Sequence, residues 1–239
     1  MKQNIIYSLA EKVHSNTLLR FFFLKPFRLY KQYMAYRKRI IFHKNGKRIL
    51  EKFNKALNDL GCNYWLEFGT LIGAVREHGF IKHDDDIDVG MFLKDRPANF
   101  KEYMAEKGFN RIHQIIVDDG SEGLEETYES EGVYIDIFYF NQIEHSKEIY
   151  CYDFITDPNK VYRDSLKEYG GFWARKIIFP FDGFKNYEFS GVKTIIPLNF
   201  DEHLKAHYGN YMQPDSNWCN EKASNSVLMK DKIGKLIDD

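Results

Sequence analysis

The chain has 239 residues, a mass of 28.4 kDa and a formal net charge of −1, so it is long enough for one large domain or for a core domain with appendages. Its 44% hydrophobic and 29% charged residues are typical of a soluble globular protein, and no apolar stretch is long enough to span a bilayer. Three widely spaced cysteines suggest neither a disulfide framework nor a zinc knuckle, and a reducing cytosol fits them best. The N-terminal residues also lack the apolar core of a signal peptide, so we expect a cytoplasmic protein.

Residues 1–44 form a predicted N-terminal arm that is basic and aromatic. Between Lys12 and Leu50 there are eleven Lys or Arg residues and no Asp or Glu, and residues 21–30 mix aromatic rings with cations. This combination suits an anionic membrane surface, where rings enter the interface and cations meet headgroups. A nucleic-acid-binding patch would carry the same charge, and a helix packed on the protein with its basic face in water is the plainer alternative. We favour a peripheral position on the inner face of the membrane and expect no nucleic-acid partner.

The elements after the arm are predicted from apolar spacing and from glycine and proline. Pro26 is expected to break the arm helix, and apolar residues up to Leu60 predict a helix that ends at Gly61. Beyond it we predict strands over 62–68, 86–92, 109–117, 128–140 and 148–155, a strand or hairpin over 188–196, and helices over 70–78, 97–107 and 200–208. The polar last twenty or so residues are expected to be a loose tail. The chain is thus divided into the arm, a catalytic domain over 45–215 and a tail over 216–239.

Three aspartates in two of these strands predict a metal site. Asp86 and Asp88 share one face of a strand, while Ile87 and Val89 point to the other face. Because like charges repel and Asp is a poor strand former, such a pair indicates a bound cation, although the pair alone would also fit a solvated turn or a helix cap. Asp136 is the single charge in a β-branched and aromatic strand, where an unpaired carboxylate would be costly to bury. We expect the three to hold Mg²⁺, with Mn²⁺ as the alternative ion, because both prefer oxygen ligands.

A glycine turn precedes the aspartates and predicts a phosphate-binding site. Gly69 allows a phosphate to approach the backbone, and Thr70 adds a hydroxyl at the start of a short helix. Arg76, about two turns further along, fits either a phosphate clamp or a surface ion pair with a nearby Asp. Asp84 and Asp85 are expected to be turn residues or outer carboxylates.

The combined pattern resembles the nucleotidyltransferase-fold superfamily and, within it, the LicD/fukutin family. The resemblance covers about residues 45–215 and is carried by the segments 69–76, 79–81, 84–88, 134–138, 195–197 and 208–212. The turn before the aspartates departs from the family pattern: His83 stands where an aromatic residue is expected, and Lys82 where proline is common. The resemblance implies an α+β (mixed α/β) fold, in which helices flank a mixed β-sheet and the basic helical arm precedes it.

The same resemblance implies a reaction and its partners. Members of that family transfer a phospho-alcohol, typically phosphocholine or a ribitol or glycerol phosphate, from a CDP-activated donor to a glycan and release CMP. For this chain it implies a CDP-alcohol donor, with phosphocholine as the first alcohol, and a free or lipid-linked acceptor glycan of lipopolysaccharide, capsule or teichoic-acid type. It assigns catalysis and metal binding to Asp86, Asp88 and Asp136, with Asp136 as a third ligand or as the base. It also favours substrate binding by Arg76, beside Gly69 and Thr70.

Two other functions are compatible with these residues. The same metal site would serve an enzyme that attaches a nucleotide from an NTP and releases pyrophosphate. The chain would alternatively be a non-catalytic, membrane-docked scaffold for glycan assembly. Three desolvated acids kept together argue against the scaffold, because a scaffold has no need of them.

Overall fold

The computed structural model describes residues 17–155, 162–215 and 218–238, and the side chains of 17–28, 162–165 and 221 lie outside this description. Helix α1 spans Thr17–Leu60 and ends at Gly61, whose positive φ is that of a glycine at a helix C-terminus. The helix continues through Pro26, so the predicted break there is wrong. A proline inside a helix costs about 3 kcal/mol, which a long helix on both sides tolerates. Helix α1 also crosses the predicted limit of the arm at residue 44, and arm residues 1–16 lie outside the described part of the chain.

Eight strands of the described residues form one mixed sheet in the order β1-β2-β5-β4-β3-β10-β7-β6. Their bounds are Trp65–Leu66 (β1), Asp86–Phe92 (β2), Asn110–Val117 (β3), Gly123–Ser130 (β4), Val133–Gln142 (β5), Glu148–Ile155 (β6), Phe172–Pro180 (β7) and Ser226–Asp238 (β10). Strands β2 and β5 are parallel, and the other neighbours are antiparallel. The end of β5 also pairs with β6, so the sheet curls back on itself.

The remaining elements lie around this sheet. Helix α2 (Phe68–Ile72) runs directly into a π-helical turn (Gly73–Glu77). The other helices are α3 (Phe100–Glu106), α4 (Tyr162–Tyr169) and α5 (Phe200–Tyr208), and strands β8 (Phe184–Phe189) and β9 (Val192–Pro197) form a separate hairpin. Short 3₁₀ turns cover Leu93–Asp95 and Asn220–Lys222. The α+β fold class, with helices flanking a mixed sheet, is therefore confirmed.

Strand alternation gives the central part of the sheet two different faces. One face packs in the main core against α1 through fully buried residues of β2 and β5. These core residues are Ile87, Val89, Ile135 and Ile137 of the strands and Phe42, Ile49, Leu50, Phe53 and Leu57 of the helix. The opposite face carries the aspartates and a second cluster that includes Trp65, Phe140 and Phe179. Gly90 makes room for this cluster, because a Cβ there would lie 2.2 Å from the Trp65 ring.

The predicted elements agree with the structure to different degrees. Strands β2 and β6 and helix α5 have the predicted bounds. The predicted strand over 128–140 is instead the end of β4 and most of β5, joined at Glu131 and Gly132, whose φ values of 53° and 81° are those of a tight hairpin turn. The hairpin alternative for residues 188–196 is confirmed by β8 and β9.

The C-terminal residues are the largest difference from the sequence-based expectation. They were expected to be a loose tail, but Ser226–Asp238 forms β10, which lies between β3 and β7 in the sheet. Most residues of this strand are exposed or half-buried, so its sequence has little of the apolar alternation that normally marks a strand. Pairing on both edges stabilises the strand instead.

Candidate active site

The structure brings Asp86, Asp88 and Asp136 together on one face of the sheet. Asp88 and Asp136 are register partners in the parallel pair β2–β5, whose backbones lie about 4.8 Å apart. Asp86 is two residues before Asp88 and therefore points to the same face. The sheet thus places three carboxylates side by side, as the alternation of the two strands predicts.

Burial and mutual repulsion make these carboxylates hard to ionise. Burial, followed by the charge of Asp136, raises the pKa of Asp86 to about 6. Burial, followed by the charges of Asp86 and Asp136, raises the pKa of Asp88 well above its usual range. Burial also raises the pKa of Asp136, although a hydrogen bond from Thr127 opposes the shift. A cation at this position would relieve the repulsion.

The turn before α2 holds Asp88 in place. The Gly69 N–H donates a 3.1 Å hydrogen bond to Asp88 Oδ2, and the Asp88 N–H donates a 2.9 Å bond to Thr70 Oγ1. A Cβ at residue 69 would lie 3.1 Å from Asp88 Oδ2, a tight contact, so glycine favours this close approach. Thr70 is fully buried, and its hydroxyl positions the backbone of β2. The two residues predicted to contact a phosphate are therefore both in contact with Asp88.

A buried polar network fixes the residue that precedes this turn. Phe68 has a φ of 43°, a left-handed conformation that is unfavourable for a bulky residue. Fully buried Glu67 accepts hydrogen bonds from the Phe68 N–H at 3.2 Å and from Trp65 Nε1 at 2.6 Å. His203 of α5 lies 2.9 Å from the same carboxylate. The network holds a strained backbone next to the carboxylates, where such strain is typical of functional sites.

Asp136 is the end of a polar row that crosses the sheet. The Thr127 hydroxyl on β4 donates a 2.6 Å hydrogen bond to Asp136 Oδ1 and lies 3.2 Å from His113 Nε2 on β3. Glu125, on the same face of β4, has a pKa raised by burial and then by the charges of Asp136 and Asp153. The hydrogen bond from Thr127 gives the Asp136 carboxylate a fixed orientation.

Asp84, Asp85 and Lys38 complete the surroundings of the aspartates. One oxygen of Asp84 is buried without a hydrogen-bond partner, and burial followed by the charge of Asp86 raises the pKa of this carboxyl to about 6. Lys38 of α1 lies 3.0 Å from Asp85 Oδ1 and 3.7 Å from Asp86 Oδ2. Burial tends to lower the pKa of Lys38, but the hydrogen bond to Asp85 and the surrounding aspartates raise it overall.

The residues present fit a hard divalent cation by their chemistry. The donors are carboxylate oxygens, one buried oxygen of Asp84 lacks a partner, and a lysine ammonium already stands as a cation beside Asp86. No group of three or more His, Cys, Asp or Glu side chains in the described part of the chain is drawn together closely enough to hold an ion as it stands. Metal binding by Asp86, Asp88 and Asp136 therefore stays a prediction.

Arg76 lies at the edge of this region. Its guanidinium donates a 2.6 Å hydrogen bond to the Tyr211 carbonyl and a 2.9 Å bond to Glu77. The Tyr211 contact ties the π-helical turn to the segment after α5, whereas Glu77 lies within the turn itself. A role of Arg76 as a phosphate clamp stays a prediction. Tyr208, near the C-terminus of α5, was not among the predicted site residues. Burial, followed by the charges of Asp88 and Glu67, raises the pKa of Tyr208 well above the usual range.

The histidines of α5 contact other protein groups, although the buried Nε2 of His207 has no hydrogen-bond partner among the described residues. His203 contacts Glu67 and the Pro180 carbonyl, and His207 Nδ1 lies 3.0 Å from Asn225 Oδ1. Lys38, Thr127 and His113 were also missed by the sequence reasoning. None of them belongs to a short motif: Lys38 is 47 residues from its partner Asp85, and Thr127 and His113 meet Asp136 only through the pairing of β3, β4 and β5.

The structure has a mixed sheet with carboxylates on neighbouring parallel strands, and a glycine turn beside them opens a short helix. These features define an α+β protein of the nucleotidyltransferase class. The LicD/FKTN/FKRP family model, described as a nucleotidyltransferase domain, matches residues 61–199. The chain therefore belongs to this family, and the resemblance seen in the sequence is confirmed.

Curated relatives match a similar part of the chain. The ribitol-5-phosphate transferases FKTN of Mus musculus and Homo sapiens are 26% and 24% identical to it over 171 residues, which is 71% of this chain and 33% of each relative. An uncharacterised protein of Rickettsia prowazekii (strain Madrid E) is 26% identical over 166 residues, which is 67% of this chain and 53% of that protein. The chain thus spans about a third to a half of the length of these relatives.

Proposed function

We propose that this chain transfers a phospho-alcohol from a CDP-activated donor to a glycan hydroxyl and releases CMP. The observation that supports the proposal is the alignment of Asp86, Asp88 and Asp136 on one face of the parallel pair β2–β5. Membership of the LicD/FKTN/FKRP family and the activity for which the FKTN relatives are named point to the same reaction class.

In this proposal, Asp86, Asp88 and Asp136 would hold Mg²⁺ or Mn²⁺, which supplies charge neutralisation for the donor diphosphate. The acceptor hydroxyl oxygen forms a bond to the phosphorus that bears the alcohol, and the bond from this phosphorus to the CMP oxygen breaks. As the alternative to being a third metal ligand, Asp136 would accept the hydroxyl proton, and the Thr127 hydrogen bond keeps its carboxylate in orientation. CMP leaves, and the glycan carries a phosphodiester.

The proposal also concerns which alcohol phosphate is transferred. The sequence resemblance favoured phosphocholine, and the names of the FKTN relatives add ribitol 5-phosphate. A quaternary ammonium requires aromatic rings around it, whereas a polyol requires hydrogen-bonding groups. Both CDP-choline and CDP-ribitol therefore belong in the first assay.

The experiment is to incubate purified protein with each CDP-alcohol, Mg²⁺ and a free or lipid-linked glycan, and to measure CMP. We expect CMP and a phosphodiester-bearing glycan with one donor, and loss of both with Asp88→Asn or EDTA. Absence of CMP with every donor, from protein with an intact circular dichroism spectrum, would refute the proposal. Release of pyrophosphate from an NTP would instead identify a nucleotidyltransferase.

We also propose that α1 docks on an anionic membrane surface. At about 100° per residue, four exposed apolar residues fall within about 60° of one another on the helix. They are Leu29, Tyr33, Tyr36 and Ile40, with exposures of 64%, 55%, 60% and 48%. The core residue Phe42 lies on the opposite side of the helix. Arg37 flanks the stripe and lies over the Tyr33 ring, which is the arrangement of an interfacial helix.

The membrane contact would bring the enzyme to a lipid-linked acceptor. Within the described residues, no helix is long and apolar enough to cross a membrane. The proposed contact is through the exposed stripe of α1. The aromatic and cationic stretch over 21–28 extends the same helix, although its side chains lie outside the description.

A further inference from the structure

Lys38 is placed against the aspartates by the packed half of α1. It precedes Phe42, which is fully buried in the main core, by one helical turn. The anchored helix therefore fixes the start of the Lys38 side chain, and only its four-carbon stem has freedom. The side chain is 32% exposed, which is low for a lysine near a surface.

The Lys38 ammonium lies at the edge of the β2–β5 pair. It donates a 3.0 Å hydrogen bond to Asp85 Oδ1, lies 3.7 Å from Asp86 Oδ2 and lies 4.7 Å from the centre of the Tyr134 ring. Tyr134 is the register partner of Asp86. The ammonium therefore has three attractive contacts on one side of the aspartate group, where a metal ligand is predicted.

We propose that Lys38 is a tethered counter-ion of the candidate metal site, so that it neutralises the aspartates in the metal-free protein and leaves Asp86 when a divalent cation binds. This inference rests on the proposed function, because it assumes that Asp86 is a metal ligand. The consequence is competition: the ammonium and the cation cannot both neutralise Asp86, so Lys38 lowers the affinity for the metal. Helix α1 would thereby set the metal concentration at which the site fills.

The test compares Lys38→Met with Lys44→Met, which removes an exposed lysine from the same helix. Each protein is titrated with Mn²⁺, without nucleotide, and free Mn²⁺ is measured by electron paramagnetic resonance. We expect Lys38→Met to bind Mn²⁺ about tenfold more tightly than the wild type at low salt, because a positive charge within 4 Å of a ligand is removed. Lys44→Met should bind as the wild type does. An unchanged or weaker affinity of Lys38→Met would overturn the inference.

A second measurement uses the wild-type protein and needs no variant to fold. Amines are acetylated briefly with acetic anhydride, with and without saturating Mg²⁺, and each lysine is followed by mass spectrometry. Without metal, we expect Lys38 to react more slowly than Lys44. With saturating Mg²⁺, Lys38 should react about fivefold faster than it does without metal, because an amine released from an ion pair is more accessible. An unchanged rate at Lys38 would contradict its release.

The two measurements separate failure of this inference from failure of the metal site. If the wild type binds Mn²⁺ and Asp88→Asn does not, the metal site stands, and an unaffected Lys38→Met overturns the role of Lys38 alone. If the wild type binds no Mn²⁺, the metal site of the proposed function falls, and the inference falls with it.

Discussion

At the scale of single residues, Asp88 illustrates how a functional group opposes stability. Its carboxylate is buried beside Asp86 and Asp136, and these neighbours together with burial raise its pKa well above the usual range. A one-unit rise corresponds to about 1.4 kcal/mol of unfavourable interaction in the ionised state. The folded, metal-free protein therefore bears a cost that a cation would remove.

We predict that Asp88→Asn stabilises the metal-free protein by about 1 kcal/mol while it abolishes turnover. The amide removes the repelling charge and still accepts the Gly69 N–H bond. Thermal unfolding in EDTA and in excess Mg²⁺ checks this: the variant should have the higher Tm in EDTA, and Mg²⁺ should raise the Tm of the wild type only. Asp59→Asn, at an exposed position of α1, is the control: its Tm in EDTA and its rise in Tm with Mg²⁺ should both equal those of the wild type. A lower Tm of Asp88→Asn in EDTA would show that the carboxylate stabilises the fold.

Glu126 shows the reverse case on the opposite face of the sheet. It is fully buried, and it accepts hydrogen bonds from Arg96 at 2.8 Å, from Arg111 at 2.7 Å and from Tyr139 at 2.6 Å. Burial alone would raise the pKa of Glu126, but the hydrogen bond and charge of Arg96 and the bonds from Tyr139 and Arg111 lower it overall. Its ionised form is thus favoured in the folded state.

We predict that Glu126→Gln lowers the free energy of unfolding by about 3 kcal/mol at pH 7, because two arginines lose their buried partner. A carboxyl with a depressed folded-state pKa stabilises the protein above its unfolded pKa, near 4.5, and this stabilisation is lost as the pH falls through the folded-state value. Urea unfolding between pH 3 and 7 should therefore show a shallower pH dependence in the variant.

Glu131→Gln is the matched control for this prediction. Glu131 pairs with Arg48 at an exposed position, so its loss should change the free energy of unfolding by less than about 1 kcal/mol. Equal effects of the two substitutions would contradict the role given to burial.

The sequence predicted the residues of the site only where strand alternation could be used. Asp86, Asp88 and Asp136 share one face because each lies in a strand of clear apolar alternation, and a carboxylate in such a strand is costly to desolvate unless a partner or a cation compensates it. Thr70 was correctly placed at the turn, but its burial could not be foreseen from a short motif. In the sequence Lys38 is only one of many cations in the arm, because its contact with Asp85 bridges 47 positions.

At the scale of secondary-structure elements, β10 is the element that the sequence concealed. It closes the sheet between β3 and β7, and thus supports the strand that carries His113 and the strand that carries Arg175. The bulge between Met229 and Ile233 lets one long strand pair with both neighbours. Its three lysines and unevenly spaced apolar residues are compatible with a strand because backbone hydrogen bonds do not depend on side-chain type.

We predict that a chain ending at Asn225 does not fold to a stable state. The loss of β10 would leave one edge of β3 and one edge of β7 unpaired, and unpaired edges promote aggregation. Soluble yield and the near-ultraviolet circular dichroism spectrum measure the outcome, and a chain that lacks only Asp239 is the control. A soluble, cooperatively unfolding protein that ends at Asn225 would show that β10 is dispensable.

At the scale of the whole molecule, helix α1 joins the arm to the catalytic domain, and the sequence predicts only the second of these parts in detail. The family pattern covers about 45–215 and gives the catalytic face, whereas the arm lies outside it. The structure shows that the arm and the first part of the domain are one helix, Thr17–Leu60. From Phe42 onward this helix packs on the core, whereas residues 29–37, which carry most of the apolar stripe, are exposed. A single element thus connects the surface proposed to meet a membrane with Lys38 at the aspartates.

We predict that the wild type binds vesicles containing phosphatidylglycerol, that binding weakens with salt, and that Tyr33→Ser with Tyr36→Ser weakens it about tenfold. The salt dependence follows from the cations of α1, and the loss in the variant follows from two aromatic rings that no longer enter the interface. Vesicle co-sedimentation at increasing NaCl measures both effects. The control is Leu198→Ser with Met212→Ser, which removes two side chains of 51% and 54% exposure away from α1. If this control weakens binding as much as the tyrosine pair does, general surface apolarity causes the binding. If neither pair of substitutions changes vesicle binding and salt has no influence on it, the stripe of α1 does not meet a membrane.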